Sequence, residues 1–259
     1  MKLLLLGGTA DARKIAAPLI EAGIEVIYSV AGLVRKPKLD CTVISGGFSQ
    51  LGGMHKYLTE QRISAVLDAT HPYAMRISAS AQQHCQQLNM SYWRFARKPW
   101  VAQPDDNWLM VDSWDELIAQ CSNYRRPFLT TGQLSQLQLD QLAQNSQQLL
   151  YRTAAAPVAK LADNVQWLKA IGPFALVDEL AIMKDFKTDL LVCKNAGGAA
   201  TFAKLEAARA LQITVLMLTR PVGCAQNSAT QYTSIEALVE VVMRKAQGAR
   251  RKAQVGSRK

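Results

Sequence analysis

Five short clusters of glycine and polar residues stand where an apolar run ends and a helical pattern begins. The first follows the apolar run 3–6 and reads Gly7-Gly8-Thr9-Ala10-Asp11-Ala12-Arg13. A tight glycine turn lets backbone amides approach a pyrophosphate, and the helix N-terminus behind it favours negative charge. Thr9 is placed to cap that helix. The spacing departs from G-x-G-x-x-G, since Thr9 and Ala12 fill the later glycine places. Gly7, Gly8, Thr9, Ala10 and Arg13 are the cofactor candidates here, against a merely structural strand-to-helix turn. Asp11 suits the helix dipole but would repel a phosphate, so it is expected to point away.

The second cluster, Tyr28-Ser29-Val30-Ala31-Gly32-Leu33-Val34-Arg35, lies where an NAD-preferring site would carry Asp or Glu for the ribose hydroxyls. Ser29, Gly32 and Arg35, with Lys36 beside it, suit the extra phosphate of NADPH. The alternative is that the two cations belong to a solvated loop. The third, Asp68-Ala69-Thr70-His71-Pro72-Tyr73-Ala74, puts Thr70, His71 and Pro72 at a strand end, with Pro72 suited to start a helix. His71 could touch the cofactor or move a proton, although a lone histidine is more often a structural hydrogen-bonder. His55 and His84 lack a supporting motif.

The fourth cluster is Thr130-Thr131-Gly132, of which Thr131 and Gly132 could contact a substrate or simply open a helix. The fifth, Lys194-Asn195-Ala196-Gly197-Gly198, delivers a cation, an amide and a glycine pair to a helix start, and Arg220 closes the next apolar run. Lys194, Asn195, Gly197, Gly198 and Arg220 therefore suit an anionic ligand, unless the turn is structural and Lys194 solvated. The spacing is not that of a P-loop. No nucleophile-and-base set, paired carboxylates or metal spacing is present. That pattern suits hydride transfer, where a cofactor carries the chemistry. His71 and Lys194 are the candidates for moving a proton.

To hold these clusters at strand ends, the chain must alternate strands and helices, and its hydrophobic pattern does so. In the first half, strands are expected at 2–6, 25–30, 42–45, 65–68 and 91–95, and helices at 11–22, 51–61 and 74–88. Pro18 falls inside the first helix, where it should kink the axis. Residues 98–108, rich in Pro, Asp and Trp, read as a linker. The alternation then resumes with strands at 127–131, 149–153, 165–170, 190–194 and 213–218. Helices are expected at 114–121, 135–143, 175–185, 199–211 and 234–245. The expectation is an α/β chain of two Rossmann-like domains with parallel sheets and a ligand cleft between them. Residues 1–97 would bind NADPH, 109–246 would form the second domain, and 247–259 would be a basic, disordered tail.

The 259 residues suffice for two domains. The net charge of +10 is uneven: seven basic and no acidic residues lie from Arg244 onward, leaving a body of 23 basic against 20 acidic, or +3. A body so mildly basic argues against nucleic-acid binding. Five scattered cysteines and three histidines, without a Cys-x-x-Cys pair, exclude a disulfide scaffold or zinc framework, and no metal is expected. The apolar run 3–6 is too short for a signal peptide, and no run is long enough to span a bilayer, so a cytoplasmic protein is expected.

The chain resembles the precorrin-6A reductase family, which includes the cobalt-precorrin-6A reductases. The resemblance runs from Lys2 to about Pro221. It rests on Leu5-Leu6-Gly7-Gly8-Thr9, Gly46-Gly47-Phe48, Asp68-Ala69-Thr70-His71-Pro72, Thr130-Thr131-Gly132, and Lys194-Asn195-Ala196-Gly197-Gly198 through Lys204-Leu205-Glu206-Ala207-Ala208. Five weak motifs in one order at fitting intervals are hard to obtain by accident. Gln133 departs from the family, where a basic residue is common, and Ala196 stands where Ser is common. The resemblance implies two linked α/β domains, NADPH, an anionic tetrapyrrole substrate, hydride reduction of one ring double bond, and other corrin-pathway enzymes as partners. One rival is another extended-Rossmann NAD(P)-dependent reductase or epimerase, which usually carries Tyr-x-x-x-Lys. None of the seven tyrosines has Lys four residues on. A second rival is a non-catalytic nucleotide-sensing protein.

Overall fold

Leu3, Leu4 and Leu5 are wholly buried, and that burial sets the architecture. A strand apolar at every position needs cover on both faces, which a parallel sheet flanked by helices provides. The computed structural model describes residues 1–32, 37–221 and 231–256, and the chain divides into two compact units.

The first unit contains β1 (Lys2–Leu6), α1 (Ala10–Glu21), β2 (Glu25–Val30), β3 (Thr42–Ser45), α2 (Met54–Glu60), β4 (Ala65–Asp68), α3 (Met75–Gln87) and β5 (Ser91–Phe95). Its parallel sheet has the order β12-β5-β4-β1-β2-β3, the edge strand β12 being Gln231–Tyr232. Alternate residues of each strand face opposite ways. Leu3, Leu5, Val26 and Tyr28 therefore pack with Ile15 and Leu19 of α1. Leu4, Leu6, Ile27 and Val66 pack with Leu58 of α2 and Ala81 of α3. The helix α1 runs on through Pro18.

The second unit, Lys98–Pro221, contains β6 (Trp108–Val111), α4 (Trp114–Cys121), β7 (Pro127–Leu129), α5 (Gln136–Gln144), β8 (Leu149–Thr153), β9 (Val165–Lys169), α6 (Leu176–Phe186), β10 (Leu190–Lys194), α7 (Ala203–Ala210) and β11 (Thr214–Leu218). Its sheet, in the order β6-β11-β10-β7-β8-β9, is also parallel. Phe128, Leu191, Val215 and Met217 face Met183 of α6 and Leu205 of α7.

Three expectations need correction. Residues 98–108 pack onto the second unit: the Asn195 carboxamide receives the Trp100 N–H at 2.8 Å and donates to the Trp100 carbonyl at 3.1 Å. Asp106 takes Arg209 in two bonds of 2.9 and 3.0 Å. The segment from 231 belongs to the first unit, not the second. There β12 pairs with β5, and α8 (Ile235–Gly256) sends Leu238, Val239, Val242 and Ala246 into the core over α1. A helix's apolar stripe shows that one face is buried but not against which sheet. Finally, α8 carries on through 247–256, where a disordered tail was expected, although Ala246 is the last buried residue among those whose burial is described.

Candidate functional site

In the first sheet the chain proceeds outward from β1 through β2 to β3, then returns to β4 and moves the other way through β5 to β12. This is the order of a dinucleotide-binding Rossmann domain, whose ligands bind outside the carboxyl ends of the strands where the direction reverses. A cavity of about 500 Å³ opens there. Its wall includes Gly7, Gly8 and Thr9 after β1, Ser29 and Gly32 at the end of β2, and Thr70 and His71 after β4.

The glycine turn is tied to its neighbours on both sides. A Cβ at Gly7 would stand 2.3 Å from the Tyr28 ring, so no larger residue fits unless that ring moves. The Gly7 N–H donates to the Ser29 carbonyl at 2.7 Å, and the Gly8 N–H to the Tyr28 hydroxyl at 3.3 Å. Burial raises the Tyr28 pKa, keeping the phenol protonated. Gly8 has φ 97°, a left-handed conformation that glycine adopts without strain, and its Cβ position looks into open space. Thr9 caps α1 by accepting from the Ala12 N–H at 3.0 Å and donates to the Ala69 carbonyl at 2.9 Å. Asp11, expected to point away from a phosphate, is held by Arg97 at 2.8 Å.

Asp68 is wholly buried beneath the cavity. One carboxylate oxygen accepts from the Thr70 N–H at 3.0 Å and hydroxyl at 2.7 Å. The other accepts from the Tyr92 hydroxyl at 2.9 Å. Arg94 stands 3.8 Å away. A carboxylate can be buried only with such donors, and here they also hold Thr70 at the wall. Burial and the adjacent Asp68 push the Tyr92 pKa up. The Nδ1 of His71 lies 3.4 Å from the Tyr73 N–H. Of the other candidates, Ala10, Arg13 and Pro72 do not line the cavity, Arg13 being exposed on α1. Arg35 and Lys36 lie outside the described residues. Sequence reasoning did not pick Gly46, Gly47, Phe48, Val30 or Ala31 as site residues, although all line the wall. The Gly46-Gly47 pair directly after β3 was the available signal, because it repeats the placement of Gly7-Gly8 after β1.

In the second unit the direction reverses between β7 and β10. The fourth and fifth clusters leave these two strands at the same edge. Gly132, at φ 81°, has open space beside it, and the Thr131 hydroxyl is buried with no partner among the described residues. Lys194 lies 5.7 Å from the Trp114 ring centre, and burial lowers its pKa below the ordinary lysine value. Gly197, at φ 68°, passes so close to Lys98 that a Cβ would stand 2.1 Å from its carbonyl oxygen. Arg220 braces this turn, donating to the Asn195 carbonyl at 2.8 Å and the Ala196 carbonyl at 2.9 Å. Asn195, a substrate candidate, spends its carboxamide on Trp100.

Lys204, part of the fifth family motif but not picked as a site residue, is almost wholly buried and donates to the Thr130 hydroxyl at 2.9 Å. That hydroxyl donates to the Val192 carbonyl at 3.0 Å, linking the ends of β7 and β10. Burial lowers the Lys204 pKa. Its signal was a lysine at a position where the α7 pattern is otherwise apolar.

The family model for precorrin-6x reductase CbiJ/CobK matches residues 2–243. A precorrin-6A reductase of Mycobacterium tuberculosis is 38% identical over 224 residues, covering 85% of this chain and 89% of the relative. A cobalt-precorrin-6A reductase of Priestia megaterium is 24% identical over 259 residues, covering 93% and 98%. The solved structure of CobK precorrin-6A reductase superposes with a TM-score of 0.84 at 31% identity, covering 93% of this chain and 96% of that one. With the two parallel sheets and the clusters at their switch points, these matches show that the chain belongs to the precorrin-6x reductase CbiJ/CobK family.

Proposed function

We propose that the chain is a cytoplasmic NADPH-dependent reductase of a precorrin-6A-type tetrapyrrole, with the cofactor in the cavity of the first unit. The observation that carries this reading is the wall of that cavity. It joins the Gly7-Gly8-Thr9 turn to Ser29 and Gly32 and, among the described residues, contains no acidic side chain to anchor an unphosphorylated ribose. The open space beside Gly8 and the N-terminus of α1 suit a pyrophosphate. Bound NADPH supplies a hydride to one carbon of the macrocycle. The chain's own part is to bind, orient and shuttle the proton. The Asp68 carboxylate holds Thr70 toward the cofactor, and Tyr28 fixes the turn. In the second unit, Lys194, Thr131 and the Gly197-Gly198 turn hold the carboxylates of the substrate, while Arg220 and Asn195 keep that turn in shape. His71 or Lys194 delivers the proton to the position beside the reduced carbon.

The test is to follow NADPH absorbance with purified protein, adding a precorrin-6A-type ring. Oxidation that requires the ring is expected. Oxidation without it, none with it, or NADH serving equally well would overturn the reading.

A further inference from the structure

The second unit holds a groove of about 520 Å³ that no candidate cluster anticipated. Trp100, Phe174 and Phe202 wall it, and Gly198 and Ala199, the continuation of the Lys194 turn, form one end. Trp100 is held rigidly: besides the two bonds to Asn195, its indole N–H donates to the Gly198 carbonyl at 3.1 Å. Phe202 lies 6.1 Å from it, centre to centre.

The aromatic walls are backed by buried cations. The Arg152 guanidinium lies 4.0 Å from the centre of the Phe174 ring, and the Lys204 ammonium 5.7 Å from that of Trp100. Of the carboxylates near these two, Glu179 is buried and pairs with Arg152 at 2.7 Å. With Glu206 on the wall, two carboxylates stand against these two cations, so the aromatic walls rather than a net charge define the groove. Glu206 on the wall turns the ligand's own carboxylates away, toward the Lys194 end. A shallow, open groove with aromatic walls suits one face of a flat ligand rather than a fully enclosed molecule.

We propose that the groove between Trp100, Phe174 and Phe202 stacks one flat, pyrrole-derived ring of the tetrapyrrole, and that the Lys194 turn takes the carboxylate fringe beside it. This rests on the reading of the substrate given above and adds the surface that selects a macrocycle over an open-chain polyacid.

The experiment measures KM for a precorrin-6A-type ring, Kd for NADPH and Tm in four variants. Phe174→Leu, Phe202→Leu and Trp100→Leu each remove a flat wall and are expected to raise KM up to about tenfold, the loss of one aromatic stacking contact. NADPH Kd should stay near the unmutated value, whereas Tm should fall in Trp100→Leu and Phe202→Leu, which thin the packing on the core of the second unit. Trp100→Phe loses the indole bond to Gly198 but keeps a flat ring, so its KM should fall well below that of Trp100→Leu. An unmoved KM in the leucine variants overturns the proposal. So does a Trp100→Phe variant as poor as Trp100→Leu with a matching loss of Tm, since Trp100 would then only brace the turn. Failure of the unmutated protein to oxidise NADPH with the ring is a different result: it defeats the parent reading, and the groove proposal falls with it.

Discussion

Ser29 stands where an acidic residue would select NAD, and it belongs to the cavity wall. Ser29→Asp should weaken NADPH binding at least about tenfold, because a carboxylate repels the phosphate and one charge-assisted contact is worth about 1.5–3 kcal/mol. Titration with both cofactors checks this: the preference for NADPH over NADH should narrow. Gly7 is constrained differently, by the Tyr28 ring 2.3 Å from where its Cβ would be. Gly7→Ala should therefore cost about 1–3 kcal/mol as an overpacked site, read as a fall in Tm together with weaker NADPH binding. Gly8→Ala meets no neighbour and should show mainly the strain of its positive φ. Lys194 bears on pH. Its pKa is depressed by burial, so it loses its proton at a lower pH than an ordinary lysine, whose value is 10.5. Affinity that depends on the charge is complete well below the depressed pKa and fades as pH rises through it. KM for the tetrapyrrole should thus climb with rising alkalinity before pH 10.5. Lys194→Arg, which stays charged throughout, should flatten that climb.

The last helix shows how one element serves two roles along its length. Leu238, Val242 and Ala246 of α8 recur at helical spacing and bury themselves over α1, whereas the described residues after Ala246 are exposed. Removing residues 247–259 should leave turnover and Tm nearly unchanged, since little apolar surface is given up. Removing 234–259 strips Leu238 and Val242 from the core, each worth about 1.5–3 kcal/mol of burial, and should unfold the first unit. Thermal melts of the two truncations decide between these outcomes. The basic stretch from Arg244 accounts for most of the net charge of +10, so the shorter truncation changes the isoelectric point without touching either candidate site.

At the scale of the molecule, two sheets of six strands carry two separate sets of residues. Lys194→Ala should raise KM for the tetrapyrrole while leaving NADPH Kd within about twofold, because sites without shared partners act additively. Uniform binding of a substrate carboxylate is lost from KM rather than kcat, whereas a fall in kcat as well would assign the proton to Lys194 rather than His71. Parallel titrations of both ligands check it. A weakened NADPH Kd with an unchanged tetrapyrrole KM would mean that the two units have the opposite roles.

The amino-acid sequence by itself determined the local elements and the strand-end clusters. The runs at Lys2–Leu6, Glu25–Val30 and Leu190–Lys194 are mostly apolar, with their polar residues at or near the ends, and are bounded by turn residues, so their extent follows from chain-local rules. The glycine pairs and polar residues after them announced where a ligand could be met. Only the tertiary structure decided partners that are distant in the chain. β12 is two residues long and carries no periodic signal; it is a strand because β5 offers it an open edge. Trp108 reads as the end of a linker, and 109–111 were not expected as a strand, until β11 pairs with Trp108–Val111. Asn195 and Arg220 look like ligand groups in the sequence, yet the Asn195 carboxamide bonds the Trp100 backbone and Arg220 donates to the carbonyls of the turn. The carbonyls of that turn must be satisfied in the fold, and no spacing rule records which side chain will satisfy them.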